Sequence, residues 1–115
     1  MKLGKKITGG RYIKQKKRKA HERKGQARIV KLGEEKRKSI RAKGANKKIV
    51  MLKGKIINVS GKKTQIKNVI ETPSNKFLAR QNILTKGTIV ETELGQVKIT
   101  NRPSQEGNLN GILIK

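Results

Sequence analysis

The sequence predicts a mainly β protein: a small antiparallel β-barrel that carries a long, basic, largely irregular N-terminal extension. Three observations predict it. Charge and apolar bulk change places near Lys48: residues 1–48 hold 20 basic, 3 acidic and 8 large apolar residues, whereas residues 49–115 hold 11, 4 and 23. Beyond Lys48, short β-branched runs are separated by turn residues, the pattern of a small all-β domain. No long stretch repeats apolar residues at the spacing of an amphipathic helix. The expected division is residues 1–47 as the extension and 48–115 as the barrel.

The extension comes first in the chain. Gly9 to Arg28 contains nine basic residues, Arg11, Lys14, Lys16, Lys17, Arg18, Lys19, Arg23, Lys24 and Arg28, opposed by Glu22 alone. Such a run repels itself and calls for a dense polyanion, nucleic acid above all. Too little apolar surface accompanies it for independent folding. Tyr12, Ile13, Ala20 and Ala27 do not share a helical face, and Gly25 interrupts the run, which argues against a membrane-surface helix. Glu34-Glu35-Lys36-Arg37-Lys38 has the charge order of a helix, with Gly44 as a possible cap. Ile40 is its one large apolar residue, so a short helix and an extended segment remain equal alternatives for residues 34–43.

From Lys48 the reading is strands. Ile49–Leu52 and Ile56–Val59 are apolar runs, and Ser60-Gly61-Lys62-Lys63 suits a hairpin turn into Thr64–Ile70. Thr72-Pro73-Ser74-Asn75 marks a turn. Phe77 is assigned to the core. Thr88–Thr92 is β-branched, and Glu93-Leu94-Gly95 turns it into Gln96–Thr100, where Val97 and Ile99 should face inward and Gln96, Lys98 and Thr100 outward. Asn101–Gly111 reads as a long polar loop and Ile112-Leu113-Ile114 as a last strand.

The formal charge of +24 far exceeds the roughly 2–8 that solubility asks of a small domain, so a partner must cancel it. The absence of cysteine excludes disulfides and thiolate metal sites. No apolar run reaches the ~18 residues of a membrane span, and the N-terminus lacks a signal-peptide core, so the expected location is the cytoplasm. Gly61-Lys62-Lys63-Thr64 lacks the glycine spacing of a phosphate-binding loop. Glu91 and Glu93 read as a solvated face. His21, the single histidine, fits a phosphate contact better than a metal site. No nucleophile elbow is present. Neither an enzyme nor a cofactor is expected. With Tyr12 and Phe77 as the only aromatic residues, recognition should rest on phosphates and shape, Tyr12 being the candidate for stacking. Gly9-Gly10 and Gly44-Ala45-Asn46 are either flexible loops or backbone anion nests.

Thr8-Gly9-Gly10-Arg11 followed by Lys16-Lys17-Arg18-Lys19 resembles the start of the eighth small-subunit ribosomal protein of the archaeal and eukaryotic type. Gly44-Ala45-Asn46-Lys47-Lys48 resembles that family's glycine-asparagine stretch, with Ala45 in place of a glycine. Thr72-Pro73-Ser74-Asn75, Asn82-Ile83-Leu84-Thr85-Lys86-Gly87 and Arg102-Pro103-Ser104-Gln105-Glu106-Gly107 resemble its later signatures, with Ser104 where a second glycine often stands. The short length is similar to the archaeal members. The resemblance implies a small β-barrel seated on small-subunit ribosomal RNA, with the arm threaded between RNA helices and no catalysis. It further implies neighbouring ribosomal proteins as partners, no membrane, and a monomer within the ribosome. Lys5, Lys6, Arg11, Lys16, Lys17, Arg18 and Lys19 carry over as arm contacts, and Asn46, Lys47 and Lys48 as contacts of the glycine-asparagine stretch. Tyr12, Lys14, His21, Arg23, Lys24, Arg28, Lys31, Arg37, Lys38, Arg41 and Lys43 complete the RNA-binding expectation. A ribosome-assembly factor built on the same domain and a DNA-compacting architectural protein are the rival readings.

Overall fold

A computed structural model describes residues 4–13 and 15–114. The described residues form eight strands and two short α-helices: β1 Lys31–Leu32, β2 Lys36–Arg41, β3 Lys47–Gly54, β4 Ile56–Val59, β5 Lys62–Glu71, α1 Lys76–Arg80, β6 Ile89–Thr92, β7 Gly95–Ile99, α2 Pro103–Glu106 and β8 Asn110–Leu113. Strands β4 to β8 make a closed barrel; β1, β3 and β2 make a separate three-stranded sheet in that order.

The barrel is mixed, which corrects the antiparallel expectation. Each successive pair from β4 to β8 is antiparallel, but β4 and β8 meet in parallel, Asn58 opposite Asn110 and Val59 opposite Gly111. The reason is topological. Five strands that reverse direction at every turn leave the first and last running the same way, so an odd barrel must close on one parallel pair. The ten-residue β5 makes closure possible: its first half pairs with β4, its second half with β6, and register shifts between Ile66 and Asn68 and between Val69 and Glu71 bend it around the core. Gly111 lies where β8 passes between β7 and β4. A Cβ there would stand 2.9 Å from both Ile57 Cδ1 and the Lys98 carbonyl oxygen, closer than side chains pack.

Local chemistry explains the turns. Ser60 and Gly61, both at positive φ (49° and 80°), form the two-residue turn between β4 and β5. β7 alternates as its sequence requires, with Val97 and Ile99 fully buried and Gln96, Lys98 and Thr100 exposed. Asn75 is extended, and its side-chain oxygen accepts the Phe77 N–H at 3.0 Å, capping α1.

Residues 36–41 are a strand, so the segment is extended rather than helical. A helix there would have had only Ile40 to bury; as a strand the segment pairs with β3 from Arg37–Met51 to Arg41–Lys47. β3 itself joins β1 and β2 rather than the barrel strands. Its Met51 is nonetheless fully buried in one apolar cluster with the barrel residues Ile57, Ile66, Val90, Val97 and Ile99. Val30 and Leu84 belong to that cluster too, and the Leu84 N–H donates to the Val30 carbonyl at 2.8 Å.

The segment expected as a polar loop, Asn101–Gly111, instead contains α2 and the start of β8. Pro103 opens the helix and Gly107, at φ 75°, closes it. The Asn101 side chain clips the return, donating to the Asn108 carbonyl at 2.7 Å and accepting the Asn110 N–H at 3.0 Å. α2 packs on β3: a Cβ on Gly107 would lie 2.9 Å from the Ile49 carbonyl oxygen. Beyond this body the chain is drawn out. Its radius of gyration is 21.1 Å and its extents are 67 × 35 × 22 Å, against the about 13 Å radius of a compact domain of this length.

Candidate nucleic-acid interface

The arm supplies the extension, and every described residue from Gly4 to Ile29 is exposed. Gly9, at φ 85°, turns its tip. The Lys6 N–H donates to the Gly10 carbonyl at 2.7 Å, the Gly9 N–H donates to the Lys6 carbonyl at 2.9 Å, and Lys5 bridges to Arg11. This small hairpin brings together Lys5, Lys6, Arg11 and Tyr12, with Lys6 Nζ 5.8 Å from the half-exposed Tyr12 ring. A cation against one ring face leaves the other for a base or sugar. Lys14 lies outside the described residues.

Lys16, Lys17, Arg18 and Lys19 lead into a single 3₁₀ turn, Ala20–Glu22. Glu22 organises it: one carboxylate oxygen accepts the Lys19 N–H at 3.1 Å, and the other stands 4.0 Å from Lys16 Nζ and 3.9 Å from His21 Nε2. Glu22 thereby shapes the arm without neutralising it. Arg23, Lys24 and Arg28 continue exposed to the arm's root. Lys31 follows in β1, also exposed and bridged to Ile83.

The β2–β3 hairpin is the second basic element. Arg41 lies opposite Lys47, and Lys36 opposite Lys53. Like charges directly across a ladder are destabilising, so this edge gains when an anion lies along it. Lys38 and Lys48 are exposed as well, on the other face of the ladder from Arg41 and Lys47. The tip is held from within: the Ala42 N–H donates to the Asn46 carbonyl at 2.7 Å, and the Asn46 side-chain amide donates to the Lys43 carbonyl at 3.0 Å. Gly44 and Ala45 are both left-handed, φ 69° and 59°, a conformation that costs an alanine about 1–2 kcal/mol. Arg37 differs from its neighbours. Its Nε donates to the Gly107 carbonyl at 2.8 Å and its guanidinium lies 3.5 Å from Glu35, so it joins the hairpin to α2.

Among the described residues, only Lys16, His21 and Arg37 come within ion-pair distance of a carboxylate. Also among them, no three His, Cys, Asp or Glu side chains group as metal ligands, and no helix is long and apolar enough to cross a membrane.

Phe77 corrects the sequence expectation. It is 66% exposed, with Arg80 5.8 Å from its ring. α1 has five residues, and Leu78 and Ala79 take its half-buried face, leaving Phe77 outside. Replacing it with alanine should change unfolding free energy by no more than about 0.5 kcal/mol, where a core phenylalanine would lose about 3–5 kcal/mol; urea denaturation separates the two. Phe77, Arg80, Lys86 and Arg102 are exposed and lie outside the sequence expectation for the interface. Their basic-aromatic composition was visible, but their common exposure was not.

The family model described as Ribosomal protein S8e matches residues 2–114. The chain is 44% identical to the "Small ribosomal subunit protein eS8" of Nanoarchaeum equitans, over 95% of this chain and 91% of that one. It is 46% identical to the protein of the same name from Staphylothermus marinus, over 96% and 91% of the two chains. For the one from Haloarcula marismortui the identity is 38%, over 96% and 93%. A match that spans the arm, the hairpin and the barrel together places this chain in the ribosomal protein S8e family.

Proposed function

We propose that the protein is a structural constituent of the small ribosomal subunit, located in the cytoplasm, that binds ribosomal RNA and catalyses no reaction. The single observation that supports this most is the exposed, extended arm: residues 1–28 carry twelve basic residues against Glu22 alone. Such a segment neutralises crowded phosphates, and a folded body fixes where it begins. Residues 1–47 supply most of the RNA contact in this reading and residues 48–115 the body. Val30, β1 and β2 are the part of the extension joined to that body. Neighbouring ribosomal proteins are the further partners, with one copy of this chain per particle.

The test is composition of purified particles. One copy of the chain per mature small subunit, retained through a moderate salt wash, is the expected result. Confinement to immature particles would replace this reading with that of an assembly factor.

A further inference from the structure

A cavity of ≈ 250 Å³ opens beside the root of the arm, outside the tip and hairpin surfaces. Three cationic side chains line it, each from a different part of the chain: Arg28 from the arm, Lys86 from the loop before β6, and Arg102 from the residue that precedes α2. The hydroxyl residues Ser74, Thr85 and Ser104 line it as well, and no carboxylate does. The buried Val30, Leu84 and Pro103 complete the wall.

Backbone bonds hold these groups in place. The Leu84 N–H to Val30 carbonyl bond, 2.8 Å, fixes the arm's root beside the Lys86 loop. The Thr85 N–H donates to Thr88 Oγ1 at 3.2 Å, and the two threonine hydroxyls are 2.9 Å apart. The Arg102 carbonyl accepts the N–H groups of Gln105 and Glu106 at 3.0 and 3.1 Å. Three like charges therefore line one concavity, carried on hydrogen-bonded backbone segments. Two guanidinium groups, an ammonium and hydroxyl donors are the complement of a phosphate.

We propose that this cavity receives one backbone phosphodiester of RNA, and that the seated phosphate fixes the direction in which the arm leaves the barrel. The proposal rests on the RNA-binding reading above and adds to it a specific phosphate seat on the body.

The test uses the full chain and small-subunit ribosomal RNA at one fixed salt concentration. The double variant K86Q/R102Q is compared with K67Q/K98Q, which removes the same formal charge from exposed positions on β5 and β7. All four side chains are exposed, so both variants keep the fold. K86Q/R102Q should weaken binding about tenfold, as loss of charge-assisted bonds to one phosphate does, and the control no more than about threefold. Equal losses would overturn the phosphate seat alone. Absence of RNA binding by the unsubstituted chain would overturn the proposed function with it. Inorganic phosphate, titrated at constant ionic strength, identifies the source. If it moves the Thr85 and Ser104 amide resonances while both variants bind RNA alike, the seat serves free phosphate and the RNA assignment fails.

Discussion

A chain lacking residues 1–28 is expected to bind small-subunit ribosomal RNA with a salt dependence about five units shallower, in log K against log salt, than the intact chain. Each phosphate neutralised contributes roughly 0.7–0.9 to that slope, and about half of the arm's twelve basic residues reaching phosphate accounts for five. Between 50 and 200 mM salt the intact chain would then lose on the order of a thousandfold more affinity than the truncated one. The cut after Arg28 matters. Val30 is 1% exposed and belongs to the core, so truncation at 28 removes charge and spares the fold. Removing residues 1–44 would also delete Val30, β1 and β2, uncovering Met51 and confusing lost stability with lost contact. Filter binding across a salt series, with thermal melting of both chains, measures the two effects separately. An unchanged slope in the shorter chain would move the main RNA contact to the body.

Met51→Ala should lower the unfolding free energy by about 2–5 kcal/mol, the usual effect of truncating a fully buried large side chain. The same substitution asks whether the three-stranded sheet is a separate unit. Met51 belongs to that sheet, yet it packs in the cluster that contains Ile57, Val97 and Ile99 of the barrel. A loss of that size in one urea transition, read by both far-ultraviolet circular dichroism and the barrel's amide resonances, is the expected result. A loss under about 1 kcal/mol, or a barrel that melts unchanged, would show that the sheet and barrel fold independently.

What could be read from the amino acids was local. The Ser60-Gly61 turn, the alternation of Val97 and Ile99 with exposed neighbours, and the solvated Glu91 and Glu93 follow from nearest-neighbour chemistry, and the structure has each of them. Partner choice could not be read in the same way. Ile49–Leu52 has the apolarity of a barrel strand; only tertiary pairing assigns it to β1 and β2. Ile29 and Val30 follow a basic run with no periodicity to mark which is core, and only Val30 is buried. Phe77 is apolar by type and exposed by its place on a five-residue helix. At the candidate interface, charge density identified the arm, but chemistry alone could not distinguish Arg37, which bonds to Gly107, from Lys38, which faces solvent. The convergence of Arg28, Lys86 and Arg102 depends on sequence positions far apart and was hidden for the same reason.

The parallel seam between β4 and β8 dictates how the protein can be handled. Because the opening and closing staves point the same way, the backbone comes in at one rim of the barrel and goes out at the opposite rim. A reporter fused behind Ile114 would thus sit at the far rim from Gly54, where β3 hands the chain to the barrel. A circular permutant of the barrel that joined Ile114 back to Ile56 would need a bridge long enough to run the height of the barrel.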